Sequence, residues 1–210
     1  MSICANCPGQ CCRLFNTIAL TGSDILRLKN ALQLPYQFIT KLILVPEDQV
    51  EHMKMKSAMF SFKQDDVNIE DKFIFSIKNQ ESTLLPGTKK CVFLQEWKIF
   101  SDRVTGRCGI YDIRPYACRA FPSTIDKETY KGIFINSSDT LQEFDFCLNA
   151  FKVEDFIDSN KQIENLALWD YEKNFFKKVA EKWNENPGKV EEVYEFFEKE
   201  YANRLVLKSK

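Results

Sequence analysis

Apolar side chains recur along this chain with two different periods, and the change of period organises it. Thr21-Gly22-Ser23-Asp24 reads as a helix start, with Ile25, Leu28 and Leu32 following on one face. Pro35 suits the first turn of a second short helix carrying Phe38 and Leu42, which Pro46 closes. Between Ser57 and Lys78 the pattern becomes strand-like: Met59-Phe60-Ser61-Phe62 and Phe73 to Ile77 flank a polar turn at Asp65-Asp66. Val92-Phe93-Leu94 and Trp97 to Phe100 continue that pattern, and Asp102 to Arg107, with Thr105-Gly106 inside it, reads as a turn. Pro115 opens a helical turn holding Cys118, and Gly132 to Asn136 predicts another strand. After Glu154 the period is helical: Leu168, Phe175, Phe176, Val179 and Trp183 share one stripe, and Val190, Val193, Phe197 and Tyr201 another. Asn186-Pro187-Gly188 separates the two, which predicts a helical hairpin. The pattern as a whole predicts an α+β fold, with a cysteine-rich core of short strands and helices at 1–150 and a helical C-terminal extension, 151–210, packed on it.

Composition adds that the core can be large. Of 210 residues, 44% are hydrophobic, among them 18 Phe, so a metal is not needed merely to supply a core. The formal net charge is −1 with acids and bases interspersed, which argues against nucleic acid as a partner. No apolar run approaches the roughly 20 residues of a membrane-spanning helix, the strongest being Phe38 to Val45. The start, Met1-Ser2-Ile3-Cys4, lacks the basic and apolar regions of an export signal. The expectation is a cytoplasmic protein in which thiols stay reduced.

That expectation gives the eight cysteines their meaning, because in a reducing compartment they point to metal or redox chemistry rather than to disulfides. Four fall within nine positions, Cys4-x2-Cys7-x3-Cys11-Cys12; the others are Cys91, Cys108, Cys118 and Cys147. A C-x2-C turn brings two sulfurs to one side, a spacing shared by zinc and iron–sulfur sites. Adjacent cysteines diverge, so Cys11 and Cys12 serve two metals, or one of them binds metal while the other packs or stays reactive. The plainer alternative is that some are buried apolar side chains, a reading strongest for Cys147 between Phe146 and Leu148. All eight, Cys4, Cys7, Cys11, Cys12, Cys91, Cys108, Cys118 and Cys147, are candidate metal ligands.

The first cysteine group, followed by Cys91-x2-Leu94 and by Cys108-x-Ile110-Tyr111-x2-Arg114-Pro115-x2-Cys118-Arg119-x-Phe121-Pro122, resembles the YkgJ family of cysteine-cluster proteins. That family carries the CxxCxxCC domain, and the resemblance implies zinc or iron chelation over about residues 4 to 147. This chain departs from the pattern in one place: three residues, not two, precede Cys11-Cys12. A related motif in flagellin lysine N-methylase implies, as an alternative, a protein-modifying enzyme using the cluster.

Four thiolates around a divalent metal leave a net charge of roughly −2. Arg114 and Arg119, flanking Cys118, are candidates to offset that charge or donate to the sulfurs around a bound cofactor; alternatively Arg114 pairs with Asp112. Tyr111 reads as a core tyrosine, and His52, the only histidine, as a solvated one. There is no G-x-G-x-x-G, P-loop or H-E-x-x-H, so no catalytic residue is nominated and enzymatic activity stays open. Asp24 fits a helix cap, while Glu191, Glu192, Glu198 and Glu200 fit a solvated helix face. The ample apolar content favours a functional centre over a structural staple; no spacing separates zinc from iron, and iron, as an iron–sulfur cluster, is placed slightly ahead of zinc. Its role is in redox chemistry, metal handling or assembly, with a protein partner in view. The third reading is a structural zinc protein serving as an interaction module.

Overall fold

The computed structural model describes residues 9, 11–64, 67–68, 71–99, 103–121, 123–125, 132–134 and 159–206. Among the described residues, five two-stranded sheets and short helices precede two long helices, so the fold is α+β with a C-terminal helical pair, as the periodicities predict. The chain divides into two compact units: Met1–Ile18 with Ile77–Leu168, and Ala19–Ser76 with Trp169–Lys210. Among the described residues, no helix is long and apolar enough to cross a membrane.

The second unit is built around phenylalanine rings. Helix α2, Gly22–Leu32, starts at a capping box: Thr21 Oγ1 accepts from the Asp24 backbone, and the fully buried Asp24 carboxylate accepts from the Thr21 backbone N–H and from Arg27. Asp24 is thus the inner member of the cap and Thr21 its first. The C-terminal helices, α6 (Ser159–Glu185) and α7 (Val193–Val206), bring Phe176 and Phe197 against Phe60 at 5.0 and 5.4 Å between ring centres. Phe75 completes that cluster, edge-on to Phe60 and Phe197. The tilted and edge-on geometry suits the ring quadrupoles, and burying rings of this size supplies most of the unit's stability.

Two expectations in this unit need correction. Leu42 does not lie on a helix: the helix after Pro35 is one turn, Tyr36–Ile39, and Thr40–Val45 form strand β1 paired with β4, Lys72–Ile77. The β-branched Thr40, Ile43 and Val45 favour the extended form once a partner strand is at hand. Nor is Met59–Phe62 a strand, its one ladder contact being a bridge from Phe60 to Phe73. Side chains of α6 take three more of its backbone groups: Asn184 accepts from Ser61 N–H and donates to the Met59 carbonyl, and the Trp183 indole donates to the Ser61 carbonyl. Asp65 and Asp66 lie outside the described residues, between the short strands Lys63–Gln64 and Val67–Asn68.

The first unit carries every described cysteine. Its elements include α1, Cys11–Leu14; the hairpin of β5, Asn79–Glu81, with β6, Lys89–Cys91; and the hairpin of β7, Leu94–Ile99, with β8, Arg103–Cys108. The segment expected to turn at Thr105-Gly106 is therefore strand β8, paired from Ile99↔Arg103 to Leu94↔Cys108. Val104 and Thr105 favour extension, and the connection lies at 100–102, outside the described residues. Val92-Phe93 is the turn joining β6 to β7 rather than strand. Pro115 precedes helix α5, Tyr116–Ala120, which holds Cys118, and Gly132–Phe134 is a strand paired with Ser123–Ile125. The remainder of the strand expected at Gly132 to Asn136 lies outside the described residues.

Candidate metal centre

Cys91 ends β6 and is 4% exposed. The turn that follows folds the chain back on the sulfur, so that the backbone N–H groups of Phe93 and Leu94 donate to it. Such N–H···S bonds favour a thiolate and are one of the means by which a protein tunes a metal-bound sulfur. Two further sulfurs act on the same atom. Burial pushes the Cys91 thiol up to about 11; the two N–H donors oppose the rise, and the neighbouring charges of Cys108 and Cys11 add to it. Three segments remote in sequence therefore bring sulfur into one electrostatic neighbourhood.

Local folding explains the convergence. Cys108 ends β8 directly opposite Leu94, and the Gly109 N–H donates to the Phe93 carbonyl at 2.9 Å, which clamps the Cys108 turn onto the Cys91 turn. Helix α1 lies against β6 and carries Cys11 and Cys12 in its first turn. Successive helical residues point about 100° apart, so the two adjacent thiols diverge. Gly9 closes the approach to this helix. Its φ is +81°, a conformation L side chains rarely adopt, and it is buried with its α-carbon against Leu94: a β-carbon there would stand 2.5 Å from Leu94 Cδ1. Within the three-residue interval between Cys7 and Cys11, Gly9 thus stands against the residue that pairs with Cys108.

Charges support the same place. Arg13, next to Cys12, donates from Nε to Glu96 Oε1 at 2.9 Å. Lys90, next to Cys91, reaches Glu96 Oε2 at 2.7 Å and the Leu94 carbonyl at 3.2 Å. The Ser82 hydroxyl donates to Oε2 at 2.8 Å. The Glu96 side chain is 1% exposed. Burial pushes its carboxyl up, but the hydrogen bonds from Lys90, Ser82 and Arg13 outweigh that and hold it below the usual glutamate range. Gly106 pairs with Glu96 across the hairpin, and a β-carbon there would meet Arg13 Nη2 at 3.3 Å and the Gln95 carbonyl oxygen at 2.7 Å; the bare strand position leaves room for the guanidinium.

Among the predicted site residues, Cys11, Cys91 and Cys108 stand on segments that pack together: α1 lies against β6, and the Cys108 turn is clamped onto the Cys91 turn. Cys12 on α1 and Cys118 on α5 are half-buried. Cys4, Cys7 and Cys147 lie outside the described residues, and among the described residues no three His, Cys, Asp or Glu side chains form a complete metal-holding group. Arg119 donates to the carbonyls of Arg114 and Asp112, both at 2.9 Å, and so braces the turn leading to Cys118. Arg114 stacks on the Tyr111 ring, 4.1 Å from its centre. The Arg13–Glu96–Lys90 group was missed by sequence reading. The available signals were charged residues adjacent to two cysteines and an acid at an inward position of a strand.

The donor set fits a thiophilic cation. A buried sulfur with N–H donors aimed at it and further thiols nearby is costly to ionise alone and is relieved by zinc or iron, whereas hard cations prefer oxygen. No curated protein and no solved structure matches the chain. A family model does, over residues 3–147, and its span holds all eight cysteines. On this match the chain belongs to the CxxCxxCC family, described as "Putative zinc- or iron-chelating domain".

Proposed function

We propose that this protein holds iron, as an iron–sulfur cluster, through thiolates drawn from Cys4, Cys7, Cys11, Cys12, Cys91, Cys108, Cys118 and Cys147, and that it works in redox chemistry, metal handling or assembly in the reducing cytoplasm. The observation that supports the reading is the packing of the helix carrying Cys11 and Cys12 on strand β6, with the Cys108 end of β8 clamped onto the turn after the buried Cys91. The chain's part is to supply soft anionic donors, keep water from them and aim N–H groups at sulfur; the bound metal supplies Lewis acidity or electron transfer. Arg114 and Arg119, beside Cys118, counter part of the centre's negative charge in this reading. A functional centre is favoured over a structural staple because the chain has an apolar core of its own: among the described residues, Phe60 packs its ring on Phe75, Phe176 and Phe197.

Anaerobic purification followed by metal and sulfide analysis and visible absorption tests this. Iron with inorganic sulfide and a brown chromophore are expected. A colourless protein with stoichiometric zinc replaces the cluster with the zinc reading, and a protein that takes up neither metal sinks both. Binding of S-adenosylmethionine by the loaded protein would revive the alternative of a protein-modifying enzyme.

A further inference from the structure

The Arg13–Glu96–Lys90 group is unusual for where its two cations stand. Arg13 follows Cys12 in the same helical turn, and Lys90 precedes Cys91 in the same short strand. Both are held by one carboxylate, on opposite oxygens, and both are nearly buried, with side chains 10% and 8% exposed. Buried ion pairs contribute little net stability against an apolar alternative of the same shape; their better-attested use is to fix a register or geometry. Glu96 itself is fixed from a third side by Ser82, whose oxygen also accepts the backbone N–H groups of Leu84 and Leu85. The carboxylate is therefore an anchored point to which the carriers of two cysteine groups are tied.

We infer that Glu96 is a positioning residue of the metal centre: through Arg13 and Lys90 it locks the Cys11-Cys12 turn against the Cys91 strand end, so that thiols from distant segments stand assembled before the metal arrives. The inference rests on the thiolate-centre reading above. Its physical content is preorganisation. Without the lock, metal binding must also order the two segments, and affinity falls although every ligand is still present. Groups that orient ligands in this way typically contribute 10- to 100-fold in metal affinity.

The test uses the full chain, reduced and metal-free, with Zn2+ affinity measured by competition against a chromophoric chelator and the Co2+ spectrum reporting the donor set. E96Q, R13Q and K90Q are each expected to weaken Zn2+ by roughly 10- to 100-fold. The metal-free fold, read by circular dichroism, and the Co2+–thiolate bands are expected to stay unchanged. R13Q combined with E96Q is expected to be no worse than E96Q alone, because E96Q already cuts the tie that R13Q removes. If E96Q does not fold, R13Q and K90Q carry the same test from either end. Affinities within twofold of wild type in the folded variants, or losses that simply add in the double variant, overturn the lock. Failure of the wild-type chain to bind Zn2+, Co2+ or iron would instead remove the centre itself.

Discussion

Replacing Gly9 by alanine isolates the close approach of this residue to Leu94. Two costs follow from the structure. An L side chain at φ +81° is strained by about 1–2 kcal/mol. The new methyl also stands 2.5 Å from Leu94 Cδ1, while the other Leu94 carbons lie at 3.5 and 3.6 Å, so Cδ1 alone has to move, by about 1 Å, to reach an ordinary contact. Leu94 is buried between this loop and Gly106, and turning it off its rotamer costs about 0.5–1.5 kcal/mol. Together the penalty is about 1.5–3.5 kcal/mol. If the metal-free protein escapes the strain by releasing the Gly9 contact with Leu94, the whole penalty falls on metal binding, a loss of roughly 10- to 300-fold at 1.4 kcal/mol per decade.

Zn2+ competition on the reduced chain measures that loss, and denaturant unfolding of the metal-free protein measures whatever part remains in the fold. The double variant Gly9→Ala, Leu94→Ala separates the two costs. With Cδ1 gone, the contact share disappears and about 1–2 kcal/mol of backbone strain persists, so the substitutions couple by roughly the contact share. A Gly9→Ala protein with wild-type affinity and wild-type unfolding midpoint would refute the argument, since neither strain nor overlap can then be present. Purely additive effects would retain the backbone share and refute the contact with Leu94.

Three further outcomes follow from the packing and the charges. Phe60→Ala removes a fully buried ring that touches Phe75, Phe176 and Phe197, and should cost about 3–5 kcal/mol in urea unfolding; a loss under 1 kcal/mol would mean the ring cluster is not the core of its unit. Glu96, facing Arg13 and Lys90, has its carboxyl held low in the folded state, so it adds stability above its unfolded value and loses it as pH falls through the folded one. Acid titration of the metal-free protein should therefore show stability falling below the ordinary glutamate range, more steeply in wild type than in E96Q; equal slopes would contradict the assignment. Chelation of the metal should leave Trp183 fluorescence and the α6–α7 ring contacts intact, because Trp183 packs on Phe196 and Phe176 on Phe197, with both Trp183 and Phe176 buried; loss of the Trp183 signal on chelation would favour a structural metal.

What could be read from the chain was whatever repeats locally. The capped helix after Thr21, the two C-terminal helices with their break at Asn186-Pro187-Gly188 and the helical turn after Pro115 each announce themselves within a few residues, through caps, breakers and period. The cysteine group was legible for the same reason: its density is local. Where the reading went astray, a tertiary partner decided the outcome. Thr40–Val45 is a strand because β4 is beside it, Met59–Phe62 is not one because Trp183 and Asn184 take its backbone groups, and Thr105-Gly106 is held extended by Trp97 and Glu96 across the hairpin.

The ion group illustrates a finer limit, because half of it was legible in principle. In Leu94-Gln95-Glu96-Trp97 the alternation is clear: Leu94 and Glu96 face inward, while Gln95 and Trp97 are exposed. A carboxylate at an inward strand position next to leucine calls for partners, since an unpaired buried charge costs several kcal/mol. Four cations adjoin a cysteine, Arg13, Lys90, Arg107 and Arg119, and the structure gives Glu96 the first two. What the sequence withholds is the pairing itself, because Arg13 and Glu96 stand 83 positions apart and no period links them. A strand acid that is anomalous for its burial is thus the mark by which the anchor of this centre could have been suspected, and the hairpin geometry, with Gly106 leaving space for the guanidinium, makes Arg13 the partner that fits.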